Sequence, residues 1–283
     1  MNNRLQLSPG FRRIRQLACA LAAFSPLGAL ADCTRTINVP MSATGLSVTI
    51  RGDSINGIYP EMLRHMAQKE GCEFHFSAVP RARLEMLFET GKADLLIPAS
   101  KTPRRDEYGI FVPLIHNRAT LISLSQDRPA LTSAQEIIAN RQLQLVLVRG
   151  FDYGTAYQEL IQQMKQQDRL ILEPDPLSVA RVLKSGTHYL SIMAPSIFYG
   201  AIIGDPRVEG MMETLRYEPL AELPWGESGA YISKSSLSDS DKSKLRQLLE
   251  RAEKSGAIWK SFQRFYPAEV LRESIKPLNS TGK

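Results

Sequence analysis

Between residues 80 and 113 the chain reads PRARLEMLFETGKADLLIPASKTPRRDEYGIFVP, and this stretch constrains the fold more than any other. Leu84, Leu87 and Phe88 recur at helical spacing, Gly91 stands where a helix can end in a left-handed residue, and Asp94-Leu95-Leu96-Ile97 is an apolar run of strand length. A helix thus feeds a buried strand. The strand runs into Pro98-Ala99-Ser100-Lys101-Thr102-Pro103-Arg104-Arg105, read as a loop of hydroxyls, prolines and cations at the carboxyl edge of an α/β layer, where open sheets hold their ligands. Arg105 is the leading candidate for ligand contact, because a guanidinium meets a carboxylate with two parallel charge-assisted bonds. Taken alone, an arginine in the run Arg104-Arg105-Asp106-Glu107 also reads as a solvated surface residue.

The same alternation of short apolar runs and helical periodicity extends along the chain. Residues 36–40 and 73–79 are candidate strands joined through a helix at 59–70, whose Met62, Leu63 and Met66 form a core stripe. Residues 120–125 alternate as a strand, and Gln126-Asp127-Arg128-Pro129 reads as the first crossing between two lobes. Ser133 and Glu136 form a capping box, residues 143–148 are a buried strand, and Arg149-Gly150-Phe151-Asp152-Tyr153-Gly154 leads into a helix ending near Gln167. That turn offers backbone N–H groups to an anion but carries no phosphate fingerprint. Strands at 170–173 and 188–193 bracket a helix opened by Asp175-Pro176, and residues 219–226 read as the return crossing. Ser238 opens an acidic-to-basic helix that Gly256 stops, and Trp259, Phe262 and Phe265 continue at helical spacing. The expected architecture is α/β with two lobes, residues 32–124 and 225–283 forming the first and 125–224 the second.

The chain has 283 residues and a formal charge of +6, but Arg4, Arg12, Arg13 and Arg15 lie in the first 31 residues, which contain no acid. Without them 31 basic residues face 29 acidic ones, so the charge implies neither nucleic acid nor a membrane surface as partner. Those 31 residues read as a cleavable export signal: a basic region, an apolar run broken by Pro26, and Ala29-Leu30-Ala31 before Asp32. Arg12-Arg13 also allows twin-arginine export, and Leu17-Ala18-Cys19 a lipoprotein signal. An exported chain folds where thiols oxidise, and Cys33 and Cys72 each stand just before a candidate strand. If those strands are parallel neighbours, the two cysteines meet at one sheet edge as a disulfide closing a loop of about 40 residues, which stabilises by roughly 3–4 kcal/mol. The other reading is two buried free thiols.

The order helix, Gly-Lys-Ala-Asp, apolar strand, Ser-x-Thr-x-x-Arg and Phe-Val-Pro-Leu resembles the substrate-binding proteins of bacterial ABC importers for amino acids, extracellular solute-binding family 3. GIYPEMLRHMAQKEG at residues 57–71 resembles that family's first helix, and residues 240–266 its closing segment. The resemblance implies the two-lobed periplasmic binding protein fold of type II, with a mixed sheet in each lobe. It implies a monomeric periplasmic protein without cofactor or metal, which delivers a small carboxylate-bearing solute to an inner-membrane permease. Ser100 and Arg105 match the family's carboxylate-binding serine and arginine, with Thr102 alongside and Phe151 and Asp152 contributed by the second lobe.

One position and two loops depart from that pattern. Arg81 stands where the family usually has an apolar or aromatic pocket residue, and it either faces solvent or adds a cation to the pocket. The loops at 41–45 and 194–196 lack the acids that hold an α-amino group, leaving Asp152 and Glu227 as substitutes. Catalysis finds no motif: His65, His75, His116 and His188 are scattered without metal spacing, and no nucleophile elbow or acid pair is present. Two other roles stay open, a ligand-sensing partner of a signalling receptor and a cleft enzyme of the same fold such as a dehydratase.

Overall fold

A computed structural model describes residues 33–124 and 128–279. The leader with its expected cleavage after Ala31, Cys19, and Gln126-Asp127 of the linker lie outside the described residues. The chain opens with β1 (Ile37–Met41), a small hairpin of β2 (Thr49–Arg51) and β3 (Ser54–Asn56), α1 (Ile58–Glu70) and β4 (Phe74–Ala78). Gly71 closes α1 in a left-handed conformation at φ 69°, accessible to glycine without a Cβ penalty. β1 and β4 are parallel partners with Ile37 opposite Phe74, so Cys33 and Cys72 meet at the amino edge and form a disulfide with Cα atoms 4.8 Å apart.

Next come α2 (Arg81–Glu89), β5 (Leu95–Ser100), α3 (Pro103–Tyr108), β6 (Gly109–Asn117) and β7 (Thr120–Leu124). Here the structure corrects the expected loop at 98–105. The strand continues through Ser100, because its partner strand skips a position opposite Pro98, which has no N–H to donate: Gly229 pairs with Ala99 and Tyr231 with Leu96. Thr102 then caps α3, accepting a hydrogen bond from the Arg105 N–H at 3.3 Å.

The remaining elements are α4 (Ala134–Ala139), β8 (Gln144–Val148), α5 (Thr155–Gln166), β9 (Leu170–Glu173), α6 (Pro176–Lys184), β10 (Tyr189–Met193), α7 (Pro195–Ile202) and β11 (Leu215–Glu218). After them follow β12 (Gly226–Ser233), α8 (Asp239–Lys254), α9 (Ala257–Phe265), α10 (Ala268–Ser274) and β13 (Ile275–Lys276). Asp175 caps α6 and Ser238 caps α8, as their types and positions require.

Among the described residues the strands form two principal sheets. The first lobe carries β13-β6-β12-β5, paired antiparallel throughout, with the β1-β4 pair tied to the start of β5 by the Asp94 N–H donating to the Asn38 carbonyl at 2.9 Å. The second lobe carries β11-β7-β10-β8-β9, parallel across β10-β8-β9 and antiparallel at β7 and β11. The chain changes sheet between Asn117 and Thr120, earlier than the crossing expected at Gln126-Asp127-Arg128-Pro129. The reason is that β7 pairs with both β10 and β11, which polar residues after it gave no sign of. The chain returns to the first sheet between Glu218 and Gly226.

The crossings meet at Trp225, a half-buried ring with the Arg118 guanidinium 4.9 Å and the Lys276 ammonium 4.0 Å from its centroid. Arg118 also pairs with Glu273 at 2.9 Å. Apolar residues of β1, α1, β5, β12 and α8 fill the first lobe's core, while the second lobe's sheet is packed on both faces. No helix among the described residues is long and apolar enough to cross a membrane.

Candidate functional site

Helix α2 begins at the lobe interface, and its buried face is Arg81, Leu84, Glu85 and Phe88. The apolar pair anchors the helix on the first lobe's core, which brings the charged pair one turn away into the same interior. Arg81 is 5% exposed, so the solvent-facing reading of this residue is wrong. Its Nε donates to Glu85 Oε1 at 2.8 Å with Nη2 in ion-pair contact at 2.7 Å, its Nη1 donates to the Pro98 carbonyl at 2.9 Å, and its guanidinium carbon lies 5.9 Å from the centre of the Phe151 ring of the second lobe.

Arg105 stands on α3 and is 2% exposed. Its Nε and Nη2 donate to Glu85 Oε2 and Oε1 at 3.1 and 2.8 Å, the side-by-side geometry of an arginine fork. Its Nη1 donates to the Ser100 carbonyl at 2.8 Å and, across the lobes, to the Asp152 carbonyl at 3.3 Å. Burial works against the charge of Glu85, but the two guanidiniums prevail and hold its pKa below the usual carboxylate range. Arg105 is pushed up for the converse reason, Glu85 outweighing its burial, while burial and the like charge of Arg105 lower Arg81. Both guanidiniums stay charged at any working pH.

The expected residues therefore converge, with different parts to play. Arg81, Ser100, Arg105, Phe151 and Asp152 line one small cavity of about 40 Å³ between the lobes. Thr102 does not line it; its hydroxyl caps α3 and its N–H donates to the Tyr231 hydroxyl at 3.0 Å. Asp152 is buried, and one of its carboxylate oxygens accepts from the Gly154 N–H at 2.9 Å, shaping the turn into α5. Glu227, the other substitute acid, instead faces Lys101 at 3.7 Å on a partly exposed edge.

The loops that lack acids carry hydroxyls. Ser42, Thr44 and Ser196 are buried, and their side-chain oxygens have no hydrogen-bond partner among the described residues; Thr44 lines the small cavity. Beside that cavity a cleft of about 700 Å³ opens between the lobes, within the size range of small-molecule sites, lined by Ser42, Thr49, Arg51, Arg81, Asp175 and Arg207 among others. Arg81 borders both spaces.

Two glycines set how closely the lobes meet. A Cβ on Gly45 would lie 2.7 Å from the Ile197 carbonyl oxygen, and one on Gly150, at φ 91°, would lie 2.7 Å from the Ala82 backbone nitrogen. Backbone presses on backbone at both points.

Glu85 is the site residue that sequence reading missed. Its signal was the spacing Arg81-x-x-x-Glu85, which puts opposite charges on one helix face. The spacing of Leu84, Leu87 and Phe88 predicts the core stripe of this helix, and Leu87 proves only half-buried.

No family model matches the chain, and no curated protein matches it. Solved structures do. A histidine kinase sensor domain with similarity to periplasmic binding proteins superposes with a TM-score of 0.64 at 16% identity, covering 86% of this chain and 98% of that one. The substrate-binding protein of an amino acid ABC transporter gives 0.62 at 14%, covering 82% and 99%. The amino acid ABC transporter substrate-binding protein AbpA from Streptococcus pneumoniae, bound to L-arginine, gives 0.63 at 19%, covering 81% and 93%.

Proposed function

We propose that this chain, whose fold is that of the two-lobed periplasmic binding proteins, captures a small carboxylate-bearing solute between its lobes and hands it to the permease of an ABC importer. The solute is an amino acid or a related organic acid. The observation that carries this reading is the burial of two guanidiniums, Arg81 and Arg105, at the lobe interface beside a cleft of ligand size. An arginine fork shielded from water is a strong carboxylate receptor, and closure over it converts binding into a shape a permease can read. The chain acts in the periplasm as a monomer after removal of its leader, and performs no chemistry on what it holds. Ser100 orients Arg105 through its carbonyl, and the Phe151-Asp152 turn closes on the bound solute from the second lobe.

A thermal-shift panel of amino acids, dicarboxylates and aromatic acids tests the reading. A ligand at 100 times its dissociation constant adds about 2.7 kcal/mol, raising the melting temperature by roughly 5–10 °C at this size. Arg105→Ala is expected to lose most of that shift; a panel that leaves the wild-type protein unmoved counts against solute capture.

A second reading has its own support. The arginine fork is satisfied within the chain by Glu85, and a histidine kinase sensor domain is among the structures this chain resembles. A permease and ATPase encoded beside this chain favour import; a membrane kinase favours sensing.

A further inference from the structure

Arg105 has one edge suited to a carboxylate, the Nε and Nη2 pair, and Glu85 fills it. The opposite Nη1 is spent on the Ser100 and Asp152 carbonyls, so no second fork is left to offer. Arg81 adds its Nε as a second donor to the same Glu85 oxygen, with its Nη2 in ion-pair contact at 2.7 Å, so Oε1 has three guanidinium nitrogens within 2.8 Å. The cavity alongside, with the unpartnered hydroxyl of Thr44 in its wall, holds about 40 Å³. That is space for water, and not for a solute carboxylate beside Glu85.

The geometry points to Glu85 as a built-in occupant of the anion site: it holds the place of a solute's carboxylate, which must displace it to bind, and it thereby sets which solutes are captured. This deepens the proposed function and rests on it for the identity of the displacing group. The charge count agrees. The first lobe alone presents two buried guanidiniums against one carboxylate, and the further acid whose charge acts on Arg105, Asp152, belongs to the second lobe. With the lobes apart the cluster is therefore one negative charge short. With Glu85 removed it is two short, and the vacated space has the shape of the group taken away. Replacing glutamate by alanine deletes a carboxymethyl group, for which acetate is the free equivalent.

The experiment is an acetate titration of purified Glu85→Ala, wild type, and Glu85→Ala/Arg105→Ala, followed by thermal melting against sodium chloride at equal ionic strength. The expected result is saturable stabilisation of Glu85→Ala by acetate. Its half-maximal concentration should be at least tenfold below any effect on the wild-type protein, and the effect should disappear in the double variant. Glu85→Ala that ignores acetate, or responds equally with and without Arg105, overturns the inference. If Glu85→Ala does not fold without help, its refolding yield from urea across the same acetate series is measured instead: a saturable rise supports the inference, and a flat yield overturns it. The titration contains no natural solute. A silent solute panel on the wild-type protein would sink the transport reading and leave the acetate result intact, and an acetate-blind variant would do the reverse.

Discussion

Two buried carboxylates in the first lobe each sit in an arginine fork, and they differ in what surrounds the fork. Asp94 receives Arg35 Nη1 and Nη2 at 2.7 Å each, the Asn38 N–H at 2.7 Å and the Ser236 hydroxyl at 2.6 Å. One cation, one backbone group and one hydroxyl saturate one anion, and all belong to the same lobe. The Arg35 side chain is 44% exposed, so water carries part of its charge. Glu85 instead faces two guanidiniums that are both shut away from solvent, with the balancing acid on the other lobe. A charge count that closes within one lobe marks a tie that holds a fold together. One that closes only with an acid of the other lobe leaves the first lobe a buried surplus charge, which is costly until it is paired.

The largest expected effect is on the open cluster. Glu85→Ala without added anion should lower stability by about 3–5 kcal/mol, the usual cost of stranding buried charges, as read from urea unfolding. Asp94→Ala should cost less, about 2–3 kcal/mol, since Arg35 can turn to water while the Asn38 N–H and Ser236 hydroxyl lose a charged acceptor. Acetate should not restore it, and an equal acetate response at both sites would erase the distinction between them.

Acid should expose a shared property. Partners hold the pKa of both Asp94 and Glu85 below its ordinary value, against a burial that favours the neutral form. A depressed carboxylate adds stability that is complete above its unfolded value of about 4 and is lost as pH falls through the lower folded value. Unfolding midpoints should therefore hold from neutral pH to about 5 and drop below about 4, with a shallower drop in Glu85→Gln and Asp94→Asn. Smallest is Gly150→Ala, expected to cost about 1–2 kcal/mol from its strained φ and to keep the lobes from meeting at Ala82. Small-angle scattering should show a larger radius for this variant, whereas no change at Asp94 should alter it.

Much of the first lobe could be read before any coordinates. The parallel β1-β4 pair and the Cys33–Cys72 disulfide follow from two cysteines set before two apolar runs with a helix between. Caps at Ser133, Asp175 and Ser238 were legible because a short polar side chain before a periodic run has one main use. The strand through Pro98 was not legible, since it depends on a register skip in β12, a partner some 130 residues away in sequence. The sheet change before Thr120 was hidden for the same reason, as only pairing decides which lobe a strand joins. At the site, sequence pattern singled out Arg105 and left Arg81 undecided between solvent and pocket. It passed over Glu85 because a glutamate on a helix is ordinarily solvated, and only tertiary packing turns that face inward.

The placement of Trp225 has a practical outcome. The chain has two tryptophans; Trp259 lies on α9 against the first lobe's own core, whereas Trp225 stands where the chain passes back from one sheet to the other, flanked by Arg118 and Lys276. Indole emission shifts with nearby charge, and this ring and its two cations sit together at one end of the first sheet, where Gly226 and Ile275 both pair with Asn117. Trp225 emission should therefore report, without a label, on anything that disturbs the root of the two crossings, with Trp259 as the background.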